Sequence, residues 1–62
     1  MSVIVFRLDD EARIRDYCEQ KQLGVGIEPI GSDSFAVTGD DDEICLLRMQ
    51  FDGKWTDPAA LG

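Results

Sequence analysis

The sequence predicts a small α+β domain, in which two helices pack on one face of a small antiparallel sheet in the order β-α-β-β-α. Three observations lead to this prediction: an alternating apolar segment at residues 2–8, helical apolar spacing at 11–22 and 40–51, and two short strand-like segments between those helices. We expect the 62 residues to form a single domain, 1–62. Because a chain of this length buries only about 60% of its unfolded surface, we expect that domain to be marginally stable.

Both faces of the first predicted strand, residues 2–8, are mostly apolar, which is typical of a strand in the centre of a sheet. One face carries Ile4, Phe6 and Leu8, and the other is mostly valine. We therefore expect the other strands to pair on either side of it.

The first helix is expected to follow directly and to run to about Gln22. Asp9 and Asp10 are candidates for its N-cap, and Gly24 for its left-handed stop. The spacing predicts that its buried stripe consists of Ile14, Tyr17 and Cys18.

A β-hairpin is predicted for the middle of the chain. Its first strand covers residues 25–30 and contains Pro29, which lacks the N–H that a central strand donates, so we expect either an edge strand or a bulged strand end. Residues 31–33 have turn composition, and residues 35–38 form the returning strand.

The segment 40–51 carries the densest apolar run and is interpreted as the second helix. Ile44, Leu47 and Phe51 recur at helical spacing, and we expect Cys45 and Leu46 to widen that buried stripe. Thr38 or Asp40 is expected to cap the helix. Gly53 provides a left-handed stop. Apolar alternation between residues 45 and 51 also fits a strand, but the helix signals at both ends favour a helix.

The end of the chain is short. Residues 54–56 either add a short final strand or place the indole of Trp55 over the core, and Asp57-Pro58 begins a single helical turn before residues 59–62 fray. With these elements, the order is similar to a trimmed ferredoxin-like arrangement.

The net charge of the chain disfavours two classes of binding partner. Thirteen acids against six bases give a net charge of −7, which disfavours direct binding to nucleic acid phosphates and to anionic membranes. A basic partner is favoured instead. No apolar run is long enough for a membrane span, and no basic segment precedes an apolar one, so we expect a cytoplasmic location.

The sequence contains no pattern that predicts an enzyme or a cofactor. It has no histidine, which removes the commonest general base and metal ligand, and no glycine-rich phosphate loop. Cys18 and Cys45 are expected to be reduced, buried residues without catalytic function. We therefore expect a protein that is not an enzyme and that needs no cofactor and no metal.

The negative charge is unevenly distributed along the chain. Up to Ile27 there are five acids and four bases; beyond it there are eight acids and only two bases. The run of acids at residues 40–43 lacks the alternating ligand spacing of a calcium loop, and as ordinary helix-end residues these acids would complement the helix dipole. As a binding surface, the candidate partner-binding residues are Asp40, Asp41, Asp42, Glu43, Asp33 and Asp52.

In size, acidity and expected architecture, the chain resembles the small anti-CRISPR proteins of phages, several of which act as nucleic acid mimics. This resemblance implies an inhibitor that competes with DNA for a basic, nucleic-acid-binding surface of a bacterial CRISPR or other defence complex, in the host cytoplasm. The alternative is a small interaction module that binds through apolar residues such as Trp55 or through a sheet edge, with acidity serving solubility. Both a monomer and a homodimer joined through such an edge fit the sequence.

Overall fold

The protein, seen in a computed structural model, is described over residues 1–61. Residue 62, part of the segment expected to fray, lies outside the described residues. The chain forms, in order, β1 (Ser2–Arg7), a 3-10 turn (Leu8–Asp10), α1 (Glu11–Gln20), β2 (Gly26–Ile30), β3 (Ser34–Gly39), α2 (Asp41–Gln50), β4 (Trp55–Thr56) and α3 (Pro58–Leu61). No helix in the described part of the chain has the length and apolarity needed to cross a membrane.

The strands form one antiparallel sheet in the order β2-β3-β1-β4. β1 is central, as predicted, because β3 pairs along its whole length and the short β4 pairs with its second half. At one end of the sheet Ser2 lies opposite Gly39, and at the other Arg7 lies opposite Ser34; we call these the Gly39 end and the Ser34 end. The predicted α+β fold, including the short final strand, is confirmed.

The core lies between the sheet and the two main helices. It is built from alternate residues of β1 and β3 and from one stripe of each helix: Ile4, Phe6, Phe35, Val37, Ile14, Cys18, Ile44 and Leu47. The rings of Phe6 and Phe35 lie 5.8 Å apart, and Phe51 meets Phe6 edge-on at 5.9 Å. These contacts seat α2 on β1.

The end of α1 differs from the prediction. The helix stops at Gln20, and the left-handed residue is Gln22, with φ +55°, rather than Gly24. Gln22 N–H donates to Glu19 O at 3.1 Å and Leu23 N–H to Cys18 O at 2.8 Å, which is the bond pattern of a Schellman motif. This motif also buries part of Leu23 against the core, so packing outweighs the steric cost of a left-handed glutamine.

Three apolar side chains expected on a strand face or in a buried helix stripe are exposed. Leu8 belongs to the 3-10 turn instead of β1 and is 42% exposed. Cys45 and Leu46 lie on the outer face of α2, because Ile44 and Leu47 alone turn toward the sheet. The expectation that Cys45 is buried and that both residues widen the core stripe is therefore wrong.

Candidate acidic interaction surface

The N-terminus of α2 brings four predicted site residues together. Asp40 has an extended conformation and is the N-cap, and the next three acids form the first helical turn. Their carboxylates complement the positive end of the helix dipole. Thr38, the other cap candidate, belongs to β3. The sequence prediction of a cap at Asp40 is confirmed.

Asp41 is held by the start of β1. The Ser2 hydroxyl donates a hydrogen bond to Asp41 Oδ1, and the α-amino group of Met1 lies 3.4 Å from the same oxygen. Ser2 first, and then the α-amino group, lower the pKa of the Asp41 carboxyl. With its side chain 76% exposed, Asp41 stays ionised and open to solvent.

Glu43 joins two segments that are distant in the sequence. Its Oε2 accepts the N–H of Gly24 at 2.7 Å, and its Oε1 accepts the N–H of Asp40 at 3.3 Å. The second contact belongs to a capping box, and the first ties the α1–β2 connection to the start of α2. We call this arrangement the Glu43 clamp. It uses both carboxylate oxygens, so Glu43 is less available to a partner than its neighbours.

A glycine makes the clamp possible. A Cβ placed on Gly39 would lie 2.7 Å from Val25 Cγ1 and 3.3 Å from Glu43 Oε1. Any larger residue at the end of β3 would therefore push Val25 or the Glu43 carboxylate out of place.

The other two predicted site residues lie at the opposite end of the sheet. Asp33 precedes β3 at the Ser34 end, where its carbonyl oxygen accepts the N–H of Leu8 at 2.8 Å. Asp52 follows α2 and precedes β4, whose Trp55 pairs with Phe6 near the same end. A ten-residue helix is about 15 Å long, so the structure does not gather the six acids into one cluster.

Few of the acids are neutralised within the protein. No charged side chain is buried among the described residues, and the ion pairs found there are Arg15 with Glu11 at 3.4 Å and the contact of Asp41 with the α-amino group. The first is an exposed pair within α1, of a kind that contributes little. The second half of the chain thus keeps its negative surface potential.

The structure also reveals an apolar surface that the sequence prediction missed. On the outside of α2, Met49 is 73% and Leu46 is 45% exposed, next to the exposed Cys45. A depression of about 410 Å³ lies beside them, lined by Cys45, Arg48, Met49, Asp52 and Trp55. The sequence could have indicated this surface: if the buried side of α2 is centred on Ile44 and Leu47 alone, helical geometry places Cys45, Leu46 and Met49 on the solvent-facing side. We call Cys45, Leu46 and Met49 the outer α2 face.

No catalytic arrangement is visible in the described residues. No three acidic or cysteine side chains there converge in a way that could hold a metal ion. Cys18 is buried, and burial, together with the negative charge of Glu43, raises the pKa of its thiol, which disfavours the reactive thiolate. That the protein is not an enzyme stays a prediction.

Comparison of the chain with models of protein families, with curated proteins and with solved structures found no match. No residue role can therefore be transferred from a relative. The acids at both ends of α2 and the outer α2 face between them are the features that a functional proposal has to use.

Proposed function

We propose that this protein is a non-enzymatic inhibitor that binds a basic, nucleic-acid-binding surface of a partner, with a bacterial CRISPR or other defence complex as the target, and blocks it by competing with DNA. The observation that carries the proposal is the large, unneutralised negative charge of the second half of the chain. The cytoplasm of the host cell is where such a target would be met.

The placement of the acids is compatible with an imitation of DNA. Asp40, Asp41 and Asp42 lie at the start of α2 and Asp52 beyond its end, about 15 Å away along the helix. In B-DNA, two phosphate backbones border a major groove about 12 Å wide. Acids near both ends of α2, separated by a segment whose one base, Arg48, lies against Trp55, thus offer a basic surface two sites of negative charge at a comparable spacing.

Binding of this kind requires no chemistry from the inhibitor. Exposed carboxylates attract a positively charged groove over roughly a Debye length, about 8 Å at physiological ionic strength, and so speed up the encounter. Once bound, the protein occupies the space of the DNA backbone. The expected result is competition, with an affinity that falls as salt is added.

The test is a triple variant, Asp40→Asn, Asp41→Asn and Asp42→Asn. Asn keeps the capping oxygen at residue 40 and an acceptor for the hydroxyl of Ser2, so the fold should persist. Its binding to purified CRISPR effector–guide complexes should be measured in competition with a double-stranded DNA target. We expect loss of competition by the triple variant and weaker binding of the wild type at higher salt.

A control with the same change in net charge separates local from general effects. Asp16→Asn, Glu19→Gln and Glu28→Gln remove three exposed acids away from α2, and this control should compete nearly as well as the wild type. Equal competition by the wild type and the α2 triple variant, unaffected by salt, would contradict the proposal.

The second candidate function is an interaction module with apolar contacts, and the exposure of Met49 favours it specifically. It predicts binding that tolerates salt and the α2 triple variant. The structure also leaves β2 as a sheet edge, with Pro29 within it, where a second chain can pair. Sedimentation at increasing protein concentration tests for a homodimer.

A further inference from the structure

The outer α2 face is apolar although its side chains do not belong to the hydrophobic core. The opposite side of the helix already contributes Ile44 and Leu47, both fully buried, to the core. Leu46 and Met49 point away from that core and are 45% and 73% exposed. Grouped exposed side chains of this kind, bordered by charges, are typical of a contact surface.

The adjacent depression is lined by one aromatic side chain, that of Trp55. The guanidinium carbon of Arg48 lies 5.0 Å from the centre of the Trp55 ring, in a cation–π arrangement. Arg48 Nε is buried and has no hydrogen-bond partner within the described residues. Because the guanidinium lies on the indole and this nitrogen has no contact with solvent, Arg48 presents less positive charge to a docked chain than an exposed arginine would.

Charges at both ends of the face indicate what kind of molecule covers it. Asp42 lies on the same side of α2 one turn before Cys45, and Asp52 borders the depression at the other end. A second copy of this chain would bring acids against acids, in parallel and in antiparallel packing alike. An anionic membrane surface would be repelled for the same reason. A basic segment is the complementary occupant.

The dimensions favour a helix. An α-helix with its side chains is about 10–12 Å wide, which fits between acids about 15 Å apart along α2. Leu46 and Met49, in the middle of that interval, would meet the apolar stripe of such a helix while Asp42 and Asp52 meet its basic flanks.

We infer that the outer α2 face, with the depression at Trp55, is the docking site for a basic amphipathic helix of a partner protein. The inference rests on the proposed function, because a helix that lies in a DNA groove is one form that a basic nucleic-acid-binding surface takes. Beyond the proposed function, the acids would attract the basic partner, and apolar contacts at Leu46 and Met49 would stabilise the complex once it has formed.

A synthetic peptide provides a defined probe. We would use a helix of leucine and lysine, about 18 residues or five turns long, with leucine on one face and no aromatic residue. The single tryptophan of the protein, Trp55, lines the depression, so its fluorescence reports on docking. An all-lysine peptide of equal length measures attraction by charge alone.

The chain offers a matched control for the apolar contact. Leu46→Ser and Leu8→Ser each remove a leucine of similar exposure, 45% and 42%, but only the first lies on the outer α2 face. We expect Leu46→Ser and Met49→Ser each to raise the dissociation constant of the leucine–lysine peptide about tenfold, and Leu8→Ser to leave it unchanged. The wild type should bind the all-lysine peptide much more weakly.

The outcomes separate this inference from the proposed function. Equal affinity for both peptides, lost in the α2 triple Asn variant but not in Leu46→Ser, would overturn the apolar docking site and leave electrostatic competition intact. Loss in Leu46→Ser without any effect of salt or of the triple variant would overturn the basic partner and with it the proposed function. Dimerisation that quenches or shifts Trp55 emission without peptide would assign the face to a second copy and overturn the inference.

Discussion

Replacing Glu43 by Ala should destabilise the protein far more than replacing the acid beside it. The change removes the acceptor of the Gly24 N–H, 2.7 Å away, and the acceptor of the Asp40 N–H, 3.3 Å away. A hydrogen bond to a charged group contributes about 1.5–3 kcal/mol, but both donors here lie near solvent and can turn to water. We therefore expect a loss on the order of 2 kcal/mol.

That loss is measurable in a domain of this size. A change of 1 kcal/mol shifts the thermal midpoint of a 60–100-residue domain by about 4–8 °C, so Glu43→Ala should lower it by roughly 8–16 °C. Urea unfolding followed by Trp55 fluorescence should give the free energy itself. Glu43→Gln keeps one carbonyl acceptor and should fall between Ala and the wild type.

Asp42→Ala is the matched control, since it removes an equal charge from the same helical turn. It loses an interaction with the helix dipole, which contributes about 0.3–1 kcal/mol, but no clamp between distant segments. If Glu43→Ala and Asp42→Ala lower the stability equally, the Glu43 clamp has no energetic role and the assignment of Glu43 to the fold is refuted.

Four further results are expected. Leu47→Ala should cost about 2–5 kcal/mol in urea unfolding because Leu47 is fully buried, and an equally stable variant would contradict the position of α2. Cys45 should react with a thiol reagent at the rate of a free thiol while Cys18 is protected. Because the pKa of the folded Cys18 thiol is raised, its contribution to stability is complete below about pH 8.5 and is lost as the pH rises toward that folded pKa, a dependence that Cys18→Ala should remove. Gln22→Gly should raise the free energy of unfolding by about 1 kcal/mol, since glycine adopts φ +55° without strain, and a loss of stability would indicate that the glutamine side chain matters more than its backbone.

The elements that could be predicted from the sequence are those with strong local signals. The apolar alternation of β1 placed it in the centre of the sheet, and Pro29 placed β2 at an edge. The acid at residue 40 predicted the start of α2. In each case the signal lies within the element itself, as an apolar alternation, a missing N–H or a capping oxygen, so neighbours in sequence suffice for the inference.

The features that were predicted wrongly or missed depend on contacts between residues that are distant in the sequence. The end of α1 depends on packing of Leu23 against the core, which favours a left-handed Gln22 over the nearby glycine. The role of Glu43 depends on Gly24, 19 residues earlier, and the run of acids gives no sign of it. Since all the acids look alike in sequence, only the fold separates Glu43, which it uses, from Asp42, which it leaves free.

The exposure of Leu46 and Met49 has an energetic consequence for function. Among the described residues only nine apolar side chains are buried, so the domain has little stability to spare. Complete burial of a leucine or methionine side chain contributes about 1.5–3 kcal/mol, and the fold leaves nearly half of that contribution unused at Leu46 and most of it at Met49. Replacing Met49 should therefore change stability by no more than about 0.5 kcal/mol, and replacing Leu46 by about 1 kcal/mol, while either change weakens any contact made by the outer α2 face. Variants at Ile44 and Leu47 should mainly lower the free energy of unfolding. Variants at Leu46 and Met49 should mainly weaken binding of a partner, so the two sides of α2 can be tested separately.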